Sequence, residues 1–254
     1  MKIAVFGGLG ALAHEFVVHA AISDHHVSWY LHTGDRLPDD GLSSNDNDNS
    51  HAEFMRIVGG SGHDDIQKYQ EAVRGCDAVF VAFDPKYSHD TDAWAQQQLK
   101  IQTAMKREGV QRILAVTMHG AGDSQRCLDW STWMHFNLNQ ITSAFAGHNT
   151  GMNWSLAAHY SAQERVIESG KTIRREDEDQ EENSSGDEWQ LKWTIIRPGL
   201  LVDGEATGTY LASHDHVFGG SISCADVVDC SLKALEEDMD VGESFSIAYS
   251  ARVA

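Results

Sequence analysis

Hydrophobic positions along this chain gather in short, almost unbroken runs, separated by longer stretches in which apolar residues recur at helical spacing. Ile3-Ala4-Val5-Phe6, Val27-Ser28-Trp29-Tyr30-Leu31, Phe54-Met55-Arg56-Ile57-Val58 and Ala78-Val79-Phe80-Val81-Ala82-Phe83 have strand length and composition. So do Arg112-Ile113-Leu114-Ala115-Val116-Thr117, the run from Lys192 to Arg197 and the late run from Glu243 to Tyr249. The run 78–83 lacks polar alternation, the mark of a parallel strand covered on both faces. Between the runs, 11–21, 64–74, 91–108, 154–169 and 225–237 read as helices, with Gly109 and Gly170 at the positions of C-terminal caps. Strands alternating with helices predict an α/β fold: a doubly wound parallel sheet with helices on both faces and a small C-terminal region on the ligand side. The length of 254 residues fits one domain, 1–254.

Three stretches fall outside this alternation. Residues 38–50 are polar and poor in hydrophobes, as a surface loop is. Residues 119–153 scatter Trp130, Trp133, Phe136 and Phe145 among polar and small residues, which fits an ordinary amphipathic surface element or a partly helical segment covering a substrate. Residues 174–188 carry Glu176-Asp177-Glu178-Asp179-Gln180-Glu181-Glu182, a self-repelling run that reads as a solvated insertion between helix and strand, or as an acidic docking segment.

The first strand breaks into Gly7-Gly8-Leu9-Gly10-Ala11-Leu12-Ala13, and a helix follows at once. Both Gly8-x-Gly10-x-x-Ala13 and Gly7-x-x-Gly10-x-x-Ala13 fit a dinucleotide turn. One glycine makes the bend, another lets the backbone approach a pyrophosphate, and the small third residue lets the helix pack on the strand. The helix then directs its N-terminal N–H groups at the phosphates. A secretory signal, with Lys2, an apolar run and Ala11-Leu12-Ala13 as cleavage site, competes for the same residues. The glycines and the later alternation favour the dinucleotide turn.

Composition narrows the remaining classes. The net charge of −19 argues against a nucleic-acid partner, which calls for a basic face. No run approaches membrane-spanning length. Cys76, Cys127, Cys224 and Cys230 form no CxxC pair or zinc spacing and read as reduced thiols of a cytoplasmic protein. Fourteen histidines form no HExxH array, so no metal site is expected.

Four pieces of the chain, in order, resemble the atypical short-chain dehydrogenases, a Rossmann-fold family, in its NmrA-like and biliverdin-IXβ (flavin) reductase branch. They are Ile3 to Gly10, Ala104 to Thr117, His159 to Gly170 followed by Trp193-Thr194-Ile195-Ile196-Arg197-Pro198-Gly199, and Thr207-Gly208-Thr209-Tyr210 with Ile222 to Val228. The resemblance implies an NAD(P)H-dependent oxidoreductase that passes hydride to a small conjugated or flavin- or quinone-like acceptor. It implies NAD(P), expected in this chain to be NADP with NAD as the alternative, touching Gly7, Gly8, Leu9, Gly10, Ala11 and Leu12. His32 and Arg36 would lie near the adenosine ribose, Gly60 and Ser61 near the adenine, Ala82 and Phe83 near the ribose linkage, and Thr117 beside the nicotinamide. Arg36 suits a 2′-phosphate, and no carboxylate directly follows the second strand as NAD-specific sites require.

The chain also departs from that pattern. The YxxxK pair is absent, since Tyr160 is followed four residues on by Glu164, and the fifth strand ends Thr117-Met118 where the branch has Thr-Ser. The branch's helical histidine falls on His159. Catalysis would then rest on His159, with Thr117 as the remaining hydroxyl and Tyr160 as a weaker candidate; a monomer or homodimer acting on a small molecule is expected. Loss of catalysis would instead leave an NAD(P)-sensing regulatory protein, and a redox-neutral isomerase is a third reading.

Overall fold

The computed structural model describes residues 1–32, 54–60, 66–84, 93–127, 154–172, 189–214 and 220–249. Arg36, Ser61, the polar loop 38–50, the acidic run 174–188 and the aromatic-bearing stretch 128–153 lie outside the described residues.

The strands are β1 (Lys2–Phe6), β2 (His26–His32), β3 (Met55–Gly60), β4 (Ala78–Val81), β5 (Arg112–Val116), β6 (Lys192–Pro198), β7 (Leu200–Val202), β8 (Leu211–Ser213), β9 (Ser221–Ser223) and β10 (Glu243–Ala248). The helices are α1 (Ala11–Ile22), α2 (Ile66–Val73), α3 (Ala93–Glu108), α4 (Trp154–Glu168) and α5 (Cys224–Glu236), with a 3₁₀ turn at Gly122–Cys127. An eight-stranded sheet runs in the order β3-β2-β1-β4-β5-β6-β10-β8, parallel except for β8 at its edge. This is the doubly wound α/β arrangement that the alternation predicts. The three-residue strands β7, β8 and β9 were not foreseen, because a strand that short carries no readable period. β7 and β9 pair apart from the main sheet.

Every residue of β4 and β5 is buried, because helices cover both faces of the sheet. On one face Tyr69, Val73, Trp94, Ile101, Met105 and Ile167, from α2, α3 and α4, pack on Phe6, Val79, Val81, Ile113 and Ile195. On the other, Phe16, Val17, Val227, Leu232 and Leu235, from α1 and α5, pack on Ile3, Val5, Trp29, Phe80 and Leu114. Alternate residues of each strand supply the two faces, as the two-residue period of a strand demands. Chain order reverses between β1 and β4: from β1 the sheet grows outward through β2 and β3, and from β4 outward the other way. In such sheets a crevice opens at that reversal, outside the carboxyl ends of the strands.

Candidate functional site

The glycine turn follows β1 and lines this crevice. Gly7 sits so close to β4 that a β-carbon on it would collide with the carbonyl oxygen of Ala82 and lie 2.9 Å from Ala13 Cβ. Gly8 has φ +58°, a conformation that favours glycine, and Gly10 closes the turn by donating to the Gly7 carbonyl at 3.2 Å. The tight approaches are made by Gly7, Gly10 and Ala13, so the Gly7-x-x-Gly10-x-x-Ala13 frame describes the turn. Gly10 caps α1 without a side chain, and no acidic residue occupies the first turn of that helix. The first N–H groups of α1 therefore point toward the crevice without an intrahelical acceptor, as an anion site requires. Trp29, fully buried in β2, donates its indole N–H to the Gly8 carbonyl at 3.2 Å and so ties the turn to the neighbouring strand.

The other residues that the resemblance points to are spread along the same strand ends. Leu9 packs against the α1–α5 side of the core, with Leu12 beside it. His32 pairs with Gly60 across β2 and β3. Ala82 and Phe83 follow β4, with the Ala82 N–H bonded to the Phe6 carbonyl at 2.9 Å. Asp84 comes next, and its side chain lies over Gly10: a β-carbon there would be 2.9 Å from Asp84 Cβ and 3.2 Å from Oδ2.

The three candidate catalytic residues are not brought together by direct contacts. Thr117, at the end of β5, is buried and donates its hydroxyl to Glu164 Oε1 at 2.6 Å. Tyr160 is buried and donates to the Phe83 carbonyl at 3.1 Å. Burial, with the Asp84 charge behind it, pushes its phenol well above the ordinary range, which opposes proton transfer at neutral pH. His159 is also buried, in the seam between α3 and α4, where its ring lies 5.2 Å from that of Trp94. Its Nδ1 has no hydrogen-bond partner among the described residues. Tyr160 touches the same indole at 4.7 Å, and Phe83 at 5.8 Å, so Trp94 links the end of β4 to α4. Met118, which stands where the branch that the sequence resembles has serine, is buried in the core on the α2–α4 side.

Glu164, the residue in place of the missing lysine, is 1 % exposed. It accepts from Arg197 Nε at 3.0 Å and Nη2 at 2.9 Å, besides Thr117. Arg197 at the end of β6 is 2 % exposed and reaches Asp123 with Nη1 at 2.5 Å. Burial alone would push this guanidinium down; the hydrogen bonds and charge of Glu164, with Asp123 added, outweigh it and hold the group above its ordinary value. Gly122 presses its backbone on the pair: a β-carbon would collide with Glu164 Oε2 and lie 2.8 Å from Arg197 Nη2. The position of the lysine thus belongs to a buried ion pair of opposite design.

Sequence reasoning did not single out this pair, although a signal existed. Ala157, Tyr160, Glu164 and Ile167 form one stripe of α4, all buried, so a carboxylate on that stripe needs a partner. Arg197 interrupts the apolar Ile195-Ile196 run in the same way. A second unforeseen cluster centres on Asp226, fully buried in the first turn of α5. It accepts from the N–H groups of Thr207 and Gly208, from the Thr207 hydroxyl and from Tyr249 Oη. Burial opposes its charge, but these bonds together draw the carboxyl down to about 2. They tie the 203–210 loop to α5. Among the described residues no group of three His, Cys, Asp or Glu could hold a metal, and no helix is long and apolar enough to cross a membrane.

A family model described as NAD(P)H-binding matches residues 7–238. Solved structures share the fold at low identity. One is a wide-type short-chain dehydrogenase/reductase from Veillonella parvula in complex with NADP: 16 % identity, 98 % of this chain and 95 % of the other covered, TM-score 0.67. Another is ChuY, an anaerobilin reductase from Escherichia coli O157:H7, at 16 % identity, both chains fully covered and TM-score 0.65. A third is the oxidoreductase ylbE from Lactococcus lactis, at 15 % identity over 98 % of this chain and 91 % of the other, with TM-score 0.66. No curated protein matches the sequence.

Proposed function

The chain belongs to the NAD(P)H-binding family, and we propose that it is an NAD(P)H-dependent reductase of a small conjugated acceptor, flavin- or quinone-like in character. The observation that carries this reading is the glycine turn at the reversal of the sheet, backed by an α1 whose N-terminus is capped by no side chain. Gly7, Gly8 and Gly10 with the N–H groups of Ala11 and Leu12 would hold the pyrophosphate, and Ala82 and Phe83 would flank the ribose linkage. The dihydronicotinamide supplies the hydride when bound.

The protein's own part in the chemistry is modest. Tyr160 has its proton committed to the Phe83 carbonyl, and Thr117 has its proton committed to Glu164. Neither hydroxyl is poised as the acid of a tyrosine–lysine pair, and such a pair lacks its cation. The site thus suits acceptors that take hydride directly and collect their proton from water or from the His159 imidazole. NADP is the proposed cofactor, on the strength of Arg36 and the absence of a carboxylate directly after β2.

The same committed hydroxyls favour a second reading, a non-catalytic protein that binds NAD(P) and reports its presence to a partner. One experiment separates the two: oxidation of NADPH and NADH by the purified protein across a panel of flavins, quinones and enones. Steady turnover with one acceptor class supports the reductase. Saturable cofactor binding without turnover on any of them supports the sensor.

A further inference from the structure

We propose that Asp84 is a built-in competitor for the cofactor pyrophosphate, so that the dinucleotide must move this carboxylate aside to reach the glycine turn. The inference rests on the family's dinucleotide site and concerns what this chain has placed in it.

Three observations carry it. Asp84 follows β4 at the point where the order of the sheet reverses, so its backbone lines the crevice. Its side chain covers Gly10, with Cβ 2.9 Å and Oδ2 3.2 Å from where a β-carbon on that glycine would sit. Gly10 is the residue whose missing side chain lets a pyrophosphate approach the backbone, and Asp84 fills that approach. Finally, α1 brings no acidic group of its own to its N-terminus, which leaves the positive end of its dipole to attract a carboxylate from elsewhere. Asp84 is half-buried, and its charge is felt at the Tyr160 phenol, which donates to the carbonyl of the neighbouring Phe83.

A pyrophosphate and a carboxylate cannot share this position. Both are anions, and both seek the same N–H groups and dipole end. Binding then includes the cost of swinging Asp84 out and holding it near a like charge. Two unit charges about 4 Å apart repel by an amount that depends on the local dielectric, and even the weakest, water-like case amounts to about a fivefold change in affinity.

The test is the affinity of wild type, Asp84→Asn and Asp84→Ala for NADPH, ADP-ribose and adenosine, measured by calorimetry at one salt concentration. NADPH and ADP-ribose both carry the pyrophosphate and should bind both variants at least about fivefold more tightly than wild type. Adenosine carries none and should show no gain. Weaker NADPH binding by Asp84→Asn would overturn the proposal, since the carboxylate would then be accepting from a ribose hydroxyl. Equal affinity of all three proteins would overturn it too. A gain for adenosine as large as for ADP-ribose would place the effect outside the pyrophosphate and refute it. Failure of wild type and both variants to bind NADPH at all would remove the dinucleotide site, a different result from any of these.

Discussion

Glu164→Gln removes one charge from the interior and changes almost nothing else in shape. In the folded protein it leaves Arg197, 2 % exposed, with Asp123 as its remaining carboxylate among the described residues, and Asp123 is itself 75 % exposed. Two bonds between opposite charges, at 3.0 and 2.9 Å, become at best bonds from the cation to an uncharged amide oxygen, and the 2.6 Å bond from Thr117 loses its ionic acceptor. Breaking one side of a buried pair typically costs about 3–5 kcal/mol, because the stranded charge stays desolvated. For a chain of this size each kcal/mol lowers the midpoint by about 2–4 °C, so the variant should melt roughly 6–20 °C below wild type. Thermal unfolding followed by circular dichroism, with urea titration alongside, measures this. The exposed pair Lys233–Asp229 serves as the control, and Lys233→Ala should lower stability by about 1 kcal/mol or less. Glu164→Leu combined with Arg197→Met should recover much of the loss, since an apolar pair leaves no stranded charge. A Glu164→Gln protein within about 1 kcal/mol of wild type would refute the reasoning. It would mean that water or another group reaches Arg197 when Glu164 is neutral.

Other outcomes follow from the same geometry. The Asp226 carboxyl is drawn down to about 2, below its value in the unfolded chain, so its contribution to stability is complete above the unfolded pKa. That contribution should fade as pH falls from about 4 toward 2, and Asp226→Asn should flatten this part of the stability–pH curve. His159→Ala should lower turnover by about 10²–10⁴-fold if the imidazole gives the product its proton, with cofactor affinity nearly unchanged. Full turnover in that variant would make His159 a packing residue against Trp94. Affinity for NADP should exceed that for NAD at fixed salt, and equal affinities would show that Arg36 does not read the 2′-phosphate.

The sheet was legible because its strands are spelled in runs such as Ala78-Val79-Phe80-Val81, and a parallel strand buried on both faces has no polar residue to blur it. The glycine turn was legible for a different reason: Gly7 and Gly8 stand where no side chain fits or the conformation favours glycine. The interior charges were not. Glu164 and Arg197 are 33 positions apart, and a buried glutamate is written with the same letter as a solvated one. Their meaning depends on α4 turning Glu164 toward β6, a tertiary fact. Asp84 was missed likewise, because a lone carboxylate past a strand end has no period to betray it. That position 164 carries glutamate where YxxxK would put a lysine was visible, but a sequence cannot say what that glutamate is bonded to.

The bond from Trp29 to the Gly8 carbonyl gives the protein an optical consequence. An indole absorbs in the ultraviolet and emits where a dihydronicotinamide absorbs, so energy passes between them over short distances and the indole dims. The chain has seven tryptophans, and among the described ones Trp29 is bonded through its ring nitrogen to the glycine turn itself. Docking of a reduced cofactor should therefore announce itself as a loss of tryptophan emission, while the oxidised cofactor, lacking that absorption band, should dim it far less. The fold would then carry its own gauge of cofactor redox state, and exchanging Trp29 for phenylalanine would take away that tryptophan's share of the signal.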